Sequence, residues 1–502
     1  MSKAKSGVVL RNNRSASGIF HEVLSLVCDQ IDPTPRLQEW LISADSFRKH
    51  YVSRLPEFEA HRLCSPQRHA IARQLSKAVE DNLVWDVDKQ QSLHEYLQQP
   101  VAALSCEVVE GEGTSLWTPA FEYGDKQWQD FAALGTTLVT DNVITSAAAD
   151  SLAAIAKRLE KDDGLSLKGR KVVVIGAAAE MASTRHFLAM GAEVLWLDQA
   201  APPKELKANP AFSGILHYPS ENVDLLTQPA ELMATIIEFS AGSACDICLY
   251  AYAPGQAREL RLTGVMNAII NAMPSELMAS VTMLVSPTTP SELQVSDRAL
   301  LEQRLALRPK WEGLLDTFGV LGKIGGVAQF GERSTIRSVV SIQGASYQAA
   351  QYLCKIIMAE AWATHGQIHA DNVDPLRVSA NTAAITKTRS LDHPVFDAAF
   401  GGAAAMQVHT FNPEQSKCLN ALLAVEDWLS TEIPVPGRVR VHGGNLKFRP
   451  GRRSRPGRPG AQAWLMRRIH SVTARQGWYW PTRLEFTSQP VSAVGVSAVS
   501  GG

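Results

Sequence analysis

The sequence predicts an α/β protein with a doubly wound parallel sheet, a mainly helical N-terminal domain and a basic, irregular C-terminal tail. Two observations predict the sheet. Apolar, β-branched runs alternate with helical stretches over residues 171–380, which is typical of parallel strands joined by helices. Residues 171–198 also read as a strand, a turn at Gly176, an alanine-rich helix, a second strand and Asp198. That order is typical of a Rossmann-type dinucleotide-binding unit.

The predicted strands are short apolar runs separated by segments with helical periodicity. We expect strands at residues 172–175, 194–197, 214–217, 246–252, 281–285 and 337–342. We expect helices at residues 180–190, 229–239, 258–273, 297–305 and 345–363. A further helix at residues 146–159 carries Lys157 and Arg158 in its last turn, where cations suit the helix dipole, and leads into the first strand.

Domain boundaries follow from shifts in composition. Residues 1–16 are polar and basic and are predicted to be disordered, and residues 17–164 form the helical N-terminal domain. The dinucleotide-binding domain covers residues 165–430, and residues 431–502 form the tail. The window 433–475 contains eleven Lys or Arg residues and no acid. A solvated tail is the favoured interpretation, with a contact to an acidic partner or nucleic acid as the alternative.

Overall composition argues against several classes of protein. The 502 residues have a net charge of −1, which gives no electrostatic reason to expect nucleic acid or membrane binding. Seven scattered cysteines suit a reducing, cytoplasmic compartment. No apolar run is long enough for a spanning helix or a signal peptide. Cys245 and Cys248 lie in a predicted strand and are expected to be buried, and the histidines lack metal-ligand spacing, so no metal is predicted.

The loop after the first strand is the predicted cofactor site. Dinucleotide loops usually contain three glycines, whereas this one has Gly176 followed by alanines and Glu180. We expect the cofactor to contact Gly176, Ala177, Ala178 and Met181. Asp198 would accept hydrogen bonds from a ribose and repel a 2′-phosphate, which favours NAD(H) over NADP(H), although Arg185 argues the other way. The alternative is a strand–helix–strand unit that binds nothing.

With that unit placed, the later segments resemble the short-chain dehydrogenase/reductase superfamily over residues 171–380. DICLYAYAPG at residues 246–255 resembles the fourth strand and its turn, which implies that Ala251, Tyr252 and Ala253 lie beside the cofactor. RLTGVMNAIINAMP at residues 261–274 resembles the following helix. SVTMLVSPTTP at residues 280–290 resembles the fifth strand, and residues 344–375 resemble the helix of the catalytic tyrosine running into a sixth strand.

The resemblance implies that Tyr347 exchanges a proton with the substrate and that Ser286 holds the carbonyl oxygen. A phenol with a pKa of about 10 needs a nearby cation to act as a base at neutral pH. The family's lysine position is Gln351, which cannot supply a charge. Lys355 could replace it from about 80° further round the helix. Alternatively, Tyr352 and Lys355 form the working pair.

A long insertion at about residues 291–335 separates Ser286 from Tyr347. These two residues are 61 positions apart, whereas about a dozen separate them in the family. Four glycines predict a mobile loop rather than a packed strand: Gly322, Gly325, Gly326 and Gly331. We interpret the insertion as a substrate lid, with a dimerisation element as the alternative. Three of its side chains could meet a charged substrate: Lys323, Glu332 and Arg333.

The predicted function is NAD(P)-dependent interconversion of a carbonyl and an alcohol by a cytoplasmic short-chain-type dehydrogenase/reductase. The expected substrate is a small molecule or an acyl-carrier-linked acyl thioester, and the resemblance implies a homo-oligomer. Neither a membrane nor nucleic acid is expected as a partner. Two alternatives stay open: a dehydratase or epimerase on the same scaffold, and a catalytically silent protein that binds a nucleotide or a partner.

Overall fold

The structure is a computed structural model that describes most of the chain. The described residues are 7–85, 91–113, 117–162, 164–208, 210–253, 257–306, 310, 328–337, 344–365, 376–389, 400 and 408–441. Residues 338–342 of the strand predicted at 337–342 lie outside these ranges, as do residues 442–502 of the predicted tail. The same is true of Lys323, Gly322, Gly325 and Gly326 in the insertion.

Fifteen strands are present in the described residues. In chain order they are β1 Val8–Leu10, β2 Leu83–Trp85, β3 Gln91–Ser92, β4 Cys106–Glu110, β5 Phe121–Tyr123, β6 Lys126–Trp128, β7 Lys171–Ile175, β8 Glu193–Leu197, β9 Ile215–Pro219, β10 Cys245–Leu249, β11 Met278–Val285, β12 Ser291–Leu293, β13 Ala328–Phe330, β14 Arg333–Ile336 and β15 Arg377–Thr382.

The α-helices of the same residues are α1 Ala16–Ser25, α2 Pro35–Leu41, α3 Ala44–Cys64, α4 Arg68–Glu80, α5 Leu93–Leu97, α6 Phe131–Thr140, α7 Ser146–Asp162, α8 Thr184–Ala189, α9 Lys204–Ala208, α10 Pro229–Ser240, α11 Arg258–Ala272, α12 Val295–Ala306, α13 at residues 345–365, and α14 Pro413–Leu429. Helix α13 runs through Ala345–Gln351, a π-helical stretch Tyr352–Ile357, and Met358–His365.

The central sheet has seven strands in the order β15-β11-β10-β7-β8-β9-β4. Six of them are parallel, and β4 pairs antiparallel with β9 at one edge. Numbered along the chain, the six parallel strands follow the order 3-2-1-4-5-6, which is compatible with the predicted Rossmann-type sheet. The chain reverses its direction of progress across the sheet between β7 and β10. A ligand site is therefore expected at the carboxyl ends of these two strands.

Helices cover both faces of this sheet. Val173 and Ile175 of β7 join an apolar cluster that includes α10, α11 and α13, and Val172 and Val174 join a second cluster with α6, α7, α8 and α14. Alternate residues of each strand point to opposite faces, so a strand buried on both faces needs a continuous apolar run. This requirement explains why the five parallel strands β7 to β11 were recognisable in the sequence.

The N-terminal residues pack directly on the sheet. Helices α1 to α4 belong to the same apolar cluster as α11 and α13. Residues 8–10, within the segment predicted to be disordered, form β1, and Val8 pairs with Trp85 of β2. Strand β4 extends the central sheet. Residues 17–164 therefore supply both helices and a strand to the core that holds the candidate site.

The sixth parallel strand is β15, which follows α13. Residues 338–342 of the strand predicted at 337–342 lie outside the described residues, and Arg337 follows β14. The strand beside β11 is Arg377–Thr382, which is not among the strands predicted from apolar runs. Its residues are mostly small or polar, and only Val378 has the β-branched apolar side chain that the search for strands relied on. That composition explains why this strand was missed.

The described part of the insertion is folded. Strands β12, β14 and β13 form an antiparallel sheet in that order, so the prediction of a loop without packed strands is wrong for these residues. Gly331 occupies the hairpin turn with a φ of +53°. The Thr335 hydroxyl donates to the Pro56 carbonyl at 2.8 Å, and Arg333 pairs with Glu292 at 2.5 Å. The strands are short and their apolar content is low, so the glycines dominated the sequence pattern.

Within the described ranges, no helix combines the length and the apolar character needed to cross a membrane.

Candidate functional site

The turn after β7 requires a glycine. Gly176 has a φ of +89°, and a Cβ atom there would lie 2.1 Å from the backbone nitrogen of Ala251. The Ala251 N–H donates to the Ile175 carbonyl at 2.8 Å, which holds the ends of β7 and β10 together. Only glycine combines this backbone conformation with so close an approach.

The loop from Ala177 to Ser183 is longer than predicted. Helix α8 begins at Thr184 rather than at residue 180, and it has six residues. The Ala179 N–H donates to the Gly176 carbonyl, and the Thr184 hydroxyl donates to the Ala177 carbonyl, so turns occupy the start of the predicted helix. The expected long helix with its N-terminus at the phosphate position is not formed in this part of the described chain.

Asp198 lies at the end of β8 and caps this loop. Its Oδ2 accepts a hydrogen bond from the Ala178 N–H at 3.0 Å, and its Oδ1 accepts one from the Ala200 N–H at 2.9 Å. The side chain is half-buried. Asp198 is therefore at the predicted position, and it already organises the two loops that would surround a nucleotide.

A cavity of about 280 Å³ lies at the carboxyl ends of β7, β8 and β10. Its apolar wall consists of Val223, Leu225, Leu232 and Leu262, and its polar groups include Asp198 and the exposed Arg258. Gly176, Ala178, Ala251, Tyr252 and Ala253 also line it. Ala177 is buried at the start of the loop, and Met181 is half-buried and does not line this cavity.

This cavity fits the nucleoside half of a dinucleotide. Its apolar wall suits a base, and the Asp198 carboxylate suits a ribose diol. The phosphate side differs from the usual arrangement, because the Ala178 N–H donates to Asp198. A bound ribose would compete with this backbone group for the carboxylate. The cavity therefore has an apolar wall and a carboxylate, whereas its phosphate side departs from the usual arrangement.

Glu180 holds two loops together. Its carboxylate accepts from the Arg389 N–H at 3.0 Å, which connects the loop after β7 with the loop after β15. On this side lies a second cavity of about 550 Å³, whose charged lining residues are Arg185, Arg389, Lys417, Glu180 and Glu414. A carboxylate beside a pyrophosphate would repel it, but the carboxylate of Glu180 has a structural role in connecting these loops.

Ser286 and Tyr347 come together as the resemblance implied. The Ser286 side chain lies close enough to the Tyr347 phenol to oppose a rise in the pKa of that phenol, although 61 residues separate them. Tyr347 packs edge-to-face against Tyr252, with the ring centroids 6.3 Å apart and the planes at 80°. Burial, with the nearby Glu259 carboxylate, raises the pKa of Tyr347 well above its ordinary value. Because Tyr252 lines the 280 Å³ cavity, the phenol lies next to the candidate nucleotide site.

Gln351 connects two parts of this site. Its Oε1 accepts from the Ser286 N–H at 2.9 Å, and its Nε2 donates to the Glu259 carboxylate at 3.1 Å. The other oxygen of Glu259 accepts from the Ala253 N–H at 2.9 Å. Gln351 therefore positions the serine backbone and leaves the family's lysine charge unreplaced at this position.

Glu259 is a buried residue of the site that the sequence analysis missed. It is 1% exposed, and burial raises the pKa of its carboxyl group, while Lys355 opposes that rise. In the sequence, Glu259 reads as an ordinary acid in the first turn of a helix. The only signal was its place directly after the predicted cofactor turn.

Lys355 binds the backbone at the end of β11. Its Nζ donates to the Leu284 carbonyl at 2.8 Å, and burial lowers its pKa, although Glu259 raises it. The offset of about 80° from Tyr347 was calculated for a regular α-helix. Lys355 lies within the π-helical stretch Tyr352–Ile357, where the i→i+5 hydrogen bonds change that offset.

Tyr352 belongs to a different cluster. Its hydroxyl donates to Glu59 at 2.5 Å, and the side chain is fully buried. Glu59 also pairs with Arg62, which in turn pairs with Glu360 at 2.8 Å. The alternative pair of Tyr352 and Lys355 is therefore not formed, because the phenol binds a carboxylate between α3 and α13.

Cys245 and Cys248 are both buried in β10, as predicted. They face opposite sides of the sheet, since Cys245 joins the cluster with α11 and Cys248 joins the cluster with α14. Burial raises the pKa of the Cys245 thiol to about 11. Among the described residues, no group of three or more His, Cys, Asp or Glu side chains is placed to hold a metal ion.

No protein-family model matches the chain, and no curated protein is similar enough to be identified as its relative.

Proposed function

We propose that the protein is an NAD(H)-dependent oxidoreductase that interconverts a carbonyl and an alcohol. The observation that carries the proposal is the proximity of Ser286 and Tyr347 to the cavity that contains Asp198. Tyr252 is common to both, because it lines the cavity and packs against Tyr347. A short-chain-type enzyme needs this combination of a proton donor, a carbonyl-binding hydroxyl and a ribose-binding carboxylate.

The nucleotide-binding part of the proposal depends on two kinds of contact. Asp198 would accept from the ribose hydroxyls, and its negative charge disfavours a 2′-phosphate, so NAD(H) is the preferred cofactor. The apolar residues around Val223 and Leu262 would cover the base. The nicotinamide supplies hydride in reduction and accepts it in oxidation.

The protein's own residues handle the oxygen and the proton. The Ser286 hydroxyl would donate to the substrate carbonyl oxygen, and its backbone is held by Gln351. The Tyr347 hydroxyl would give its proton to that oxygen as negative charge develops. The raised pKa of Tyr347 keeps the phenol protonated at neutral pH. Alcohol oxidation would need the phenolate, which the raised pKa disfavours at neutral pH.

A second candidate is a catalytically silent protein that binds a nucleotide or a partner. Two observations favour it: Gln351 stands where a lysine is expected, and the Lys355 ammonium is bound to the Leu284 carbonyl. The variant Gln351→Lys separates the candidates. Carbonyl reduction that rises in this variant, and not in Gln351→Met, supports the oxidoreductase. Cofactor binding without reduction of any carbonyl in either variant supports the silent protein.

The experiment that tests the proposal is a titration of the full chain with NADH and NADPH, followed by nicotinamide fluorescence. We expect NADH to bind more tightly than NADPH, and Asp198→Ala to weaken NADH binding at least about tenfold, as loss of one charged hydrogen bond predicts. Asp81→Ala is the matched control, because Asp81 is an exposed acid paired with Lys77 on α4. If neither cofactor binds, the oxidoreductase proposal is wrong.

A further inference from the structure

A buried bridge of side chains connects the turn after β10 with Ser286. The Ala253 N–H donates to one oxygen of Glu259 at 2.9 Å, and the Gln351 Nε2 donates to the other at 3.1 Å. The Gln351 Oε1 in turn accepts from the Ser286 N–H at 2.9 Å. Glu259 and Gln351 are each 1% exposed. Hydrogen bonds shielded from water therefore join two backbone segments that follow neighbouring strands of the central sheet.

The bridge depends on the carboxylate of Glu259. An ionised carboxylate accepts on both oxygens, whereas the amide of Gln351 donates on one side and accepts on the other. Burial raises the pKa of the Glu259 carboxyl group, and Lys355, the Ala253 N–H and the Gln351 amide oppose that rise. A buried carboxylate without these donors would be costly, so Glu259 holds both of them in place.

Three side chains on one face of α13 hold the segment that contains Ser286. Residues spaced by three and four positions share a helix face, and each of these side chains bonds to an alternate residue at the carboxyl end of β11 or just beyond it. The pairs are Gln348 with Thr288 at 3.0 Å, Gln351 with Ser286 at 2.9 Å, and Lys355 with Leu284 at 2.8 Å. Tyr347 directly precedes Gln348. The helix that carries the phenol therefore also fixes the backbone of the serine.

The other end of the bridge lies at the nucleotide cavity. Ala253 lines this cavity together with Asp198, whereas Ser286 does not line it. A nucleoside that holds the turn at Ala253 would therefore act on Ser286 through Glu259 and Gln351, without contact with the serine itself.

We propose that Glu259 is a positioning residue, which fixes the backbone of Ser286 through Gln351 and makes that position depend on a nucleotide beside Ala253. A nucleotide in the cavity orders the serine, so the cofactor binds before the carbonyl substrate. By linkage, a ligand that orders Ser286 tightens nucleotide binding by the same factor. The role in carbonyl binding rests on the proposed function, whereas the bridge itself rests on its hydrogen bonds.

The first test is hydrogen–deuterium exchange of the full chain without ligand, measured by mass spectrometry at residues 250–253 and 284–288. Glu259→Gln removes one acceptor of the bridge. We expect exchange at residues 284–288 to become about five- to tenfold faster, as loss of one hydrogen bond predicts, although the effect must pass through Gln351. Glu57→Gln, which changes a half-buried acid on α3, is the matched control and should leave both segments unchanged. Unchanged exchange at residues 284–288 in Glu259→Gln would overturn the proposal.

An exchange of the two side chains tests the direction of the bridge. Glu259→Gln alone brings two donors face to face, and Gln351→Glu alone brings two carboxylates face to face. In the double variant Glu259→Gln/Gln351→Glu, the amide at position 259 accepts from Ala253 and donates to the carboxylate at position 351, which also accepts from Ser286. We therefore expect exchange in the double variant within about twofold of wild-type, since the two changes compensate each other. A double variant that exchanges as fast as the single variants contradicts the bridge.

AMP tests the dependence on the nucleotide, because it fills the nucleoside half of the site and has no nicotinamide to reach Ser286. At concentrations that saturate each protein, we expect AMP to slow exchange at residues 284–288 at least about twofold in wild-type protein and in the double variant, but not in Glu259→Gln. Equal slowing in Glu259→Gln would overturn the proposal. Slowing confined to residues 250–253 in the wild-type protein would also overturn it.

Titration with NADH separates this inference from the proposed function. If NADH binds and AMP has no effect at residues 284–288, the role of Glu259 is wrong and the oxidoreductase proposal stands. If AMP slows exchange there through Glu259, but NADH does not bind, the positioning role stands and the assigned reaction is wrong. If neither nucleotide binds, both proposals are wrong.

Discussion

The carboxylate of Asp198 accepts a hydrogen bond from the backbone N–H of Ala178 at 3.0 Å. This contact connects the acid that ends β8 with the loop that follows β7. The same carboxylate would serve a ribose in the proposed complex, so one side chain shapes the cavity and would also bind the ligand.

Asp198→Ala is expected to reduce the stability of the protein as well as its affinity for NADH. The change removes the acceptors of two backbone N–H groups, and hydrogen bonds to charged groups contribute about 1.5–3 kcal/mol each in favourable cases. Because Asp198 is half-buried, we expect a loss of about 1–3 kcal/mol in the free energy of unfolding. Urea denaturation measures it. Asp198→Asn keeps one acceptor and should lose less, and equal stability of all three proteins would contradict the prediction.

Gly176→Ala is expected to disrupt the cavity. The new Cβ would lie 2.1 Å from the Ala251 nitrogen, so β7 and β10 must move apart. Gly169→Ala is the matched control, because Gly169 has a similar φ of +82° and no atom within 4 Å of its added Cβ. The control should lose about 1–2 kcal/mol of stability from backbone strain alone. The Gly176 variant should lose clearly more, as measured by thermal or urea unfolding, and similar losses in both variants would contradict the close approach.

Tyr347→Phe is expected to reduce carbonyl reduction without loss of cofactor binding. General acid catalysis typically contributes about 10²–10⁴-fold to a rate, and phenylalanine keeps the ring against Tyr252. The measurement is kcat together with the Kd for NADH. Tyr218→Phe, which removes a phenol hydrogen-bonded to Glu107, is the control and should keep its activity. Full activity of the Tyr347 variant would remove this residue from the mechanism.

Glu360→Gln is expected to destabilise the packing of α3 and α4 against α13. Glu360 pairs with Arg62 at 2.8 Å and with Arg68 at 2.9 Å, so its neutralisation removes the acid from both pairs and leaves Arg62 with Glu59 alone. Removal of one member of a buried pair costs about 3–5 kcal/mol. Asp81→Asn, in an exposed pair, should cost less than about 1 kcal/mol. Equal losses in the two variants would contradict a structural role for the buried cluster.

The same glutamate predicts how stability depends on pH. Burial alone would raise the pKa of Glu360, but Arg62, His69 and Arg68 lower it well below the ordinary value of 4.5. A lowered folded-state pKa stabilises the protein above the unfolded pKa, and this contribution is lost as the pH falls below about 4.5. Wild-type protein should therefore lose stability in acid more steeply than Glu360→Gln, in urea titrations from pH 7 to the lowest pH at which the protein stays folded. Parallel pH profiles would refute this contribution.

The sequence predicted the features that depend on local pattern. Gly176 and Asp198 were recognisable because a turn and a strand end impose their residue types over a short distance. Glu259 was not recognisable, because its contacts in the candidate site depend on burial by distant elements. The offset of Lys355 from Tyr347 was calculated for a regular α-helix, because the residue types did not indicate the π-helical stretch. The strand β15 was missed because its composition is small and polar.

The contact between Arg62 and Glu360 joins positions 298 residues apart. Ribosomes add roughly 5–20 residues per second, so about 15–60 s pass between the synthesis of these two side chains. During this time α1 to α4 have emerged, but the helix that completes their apolar cluster has not yet been made. The nascent N-terminal helices therefore present an incompletely covered apolar surface, and a chaperone that binds exposed hydrophobic segments would find its target there during translation.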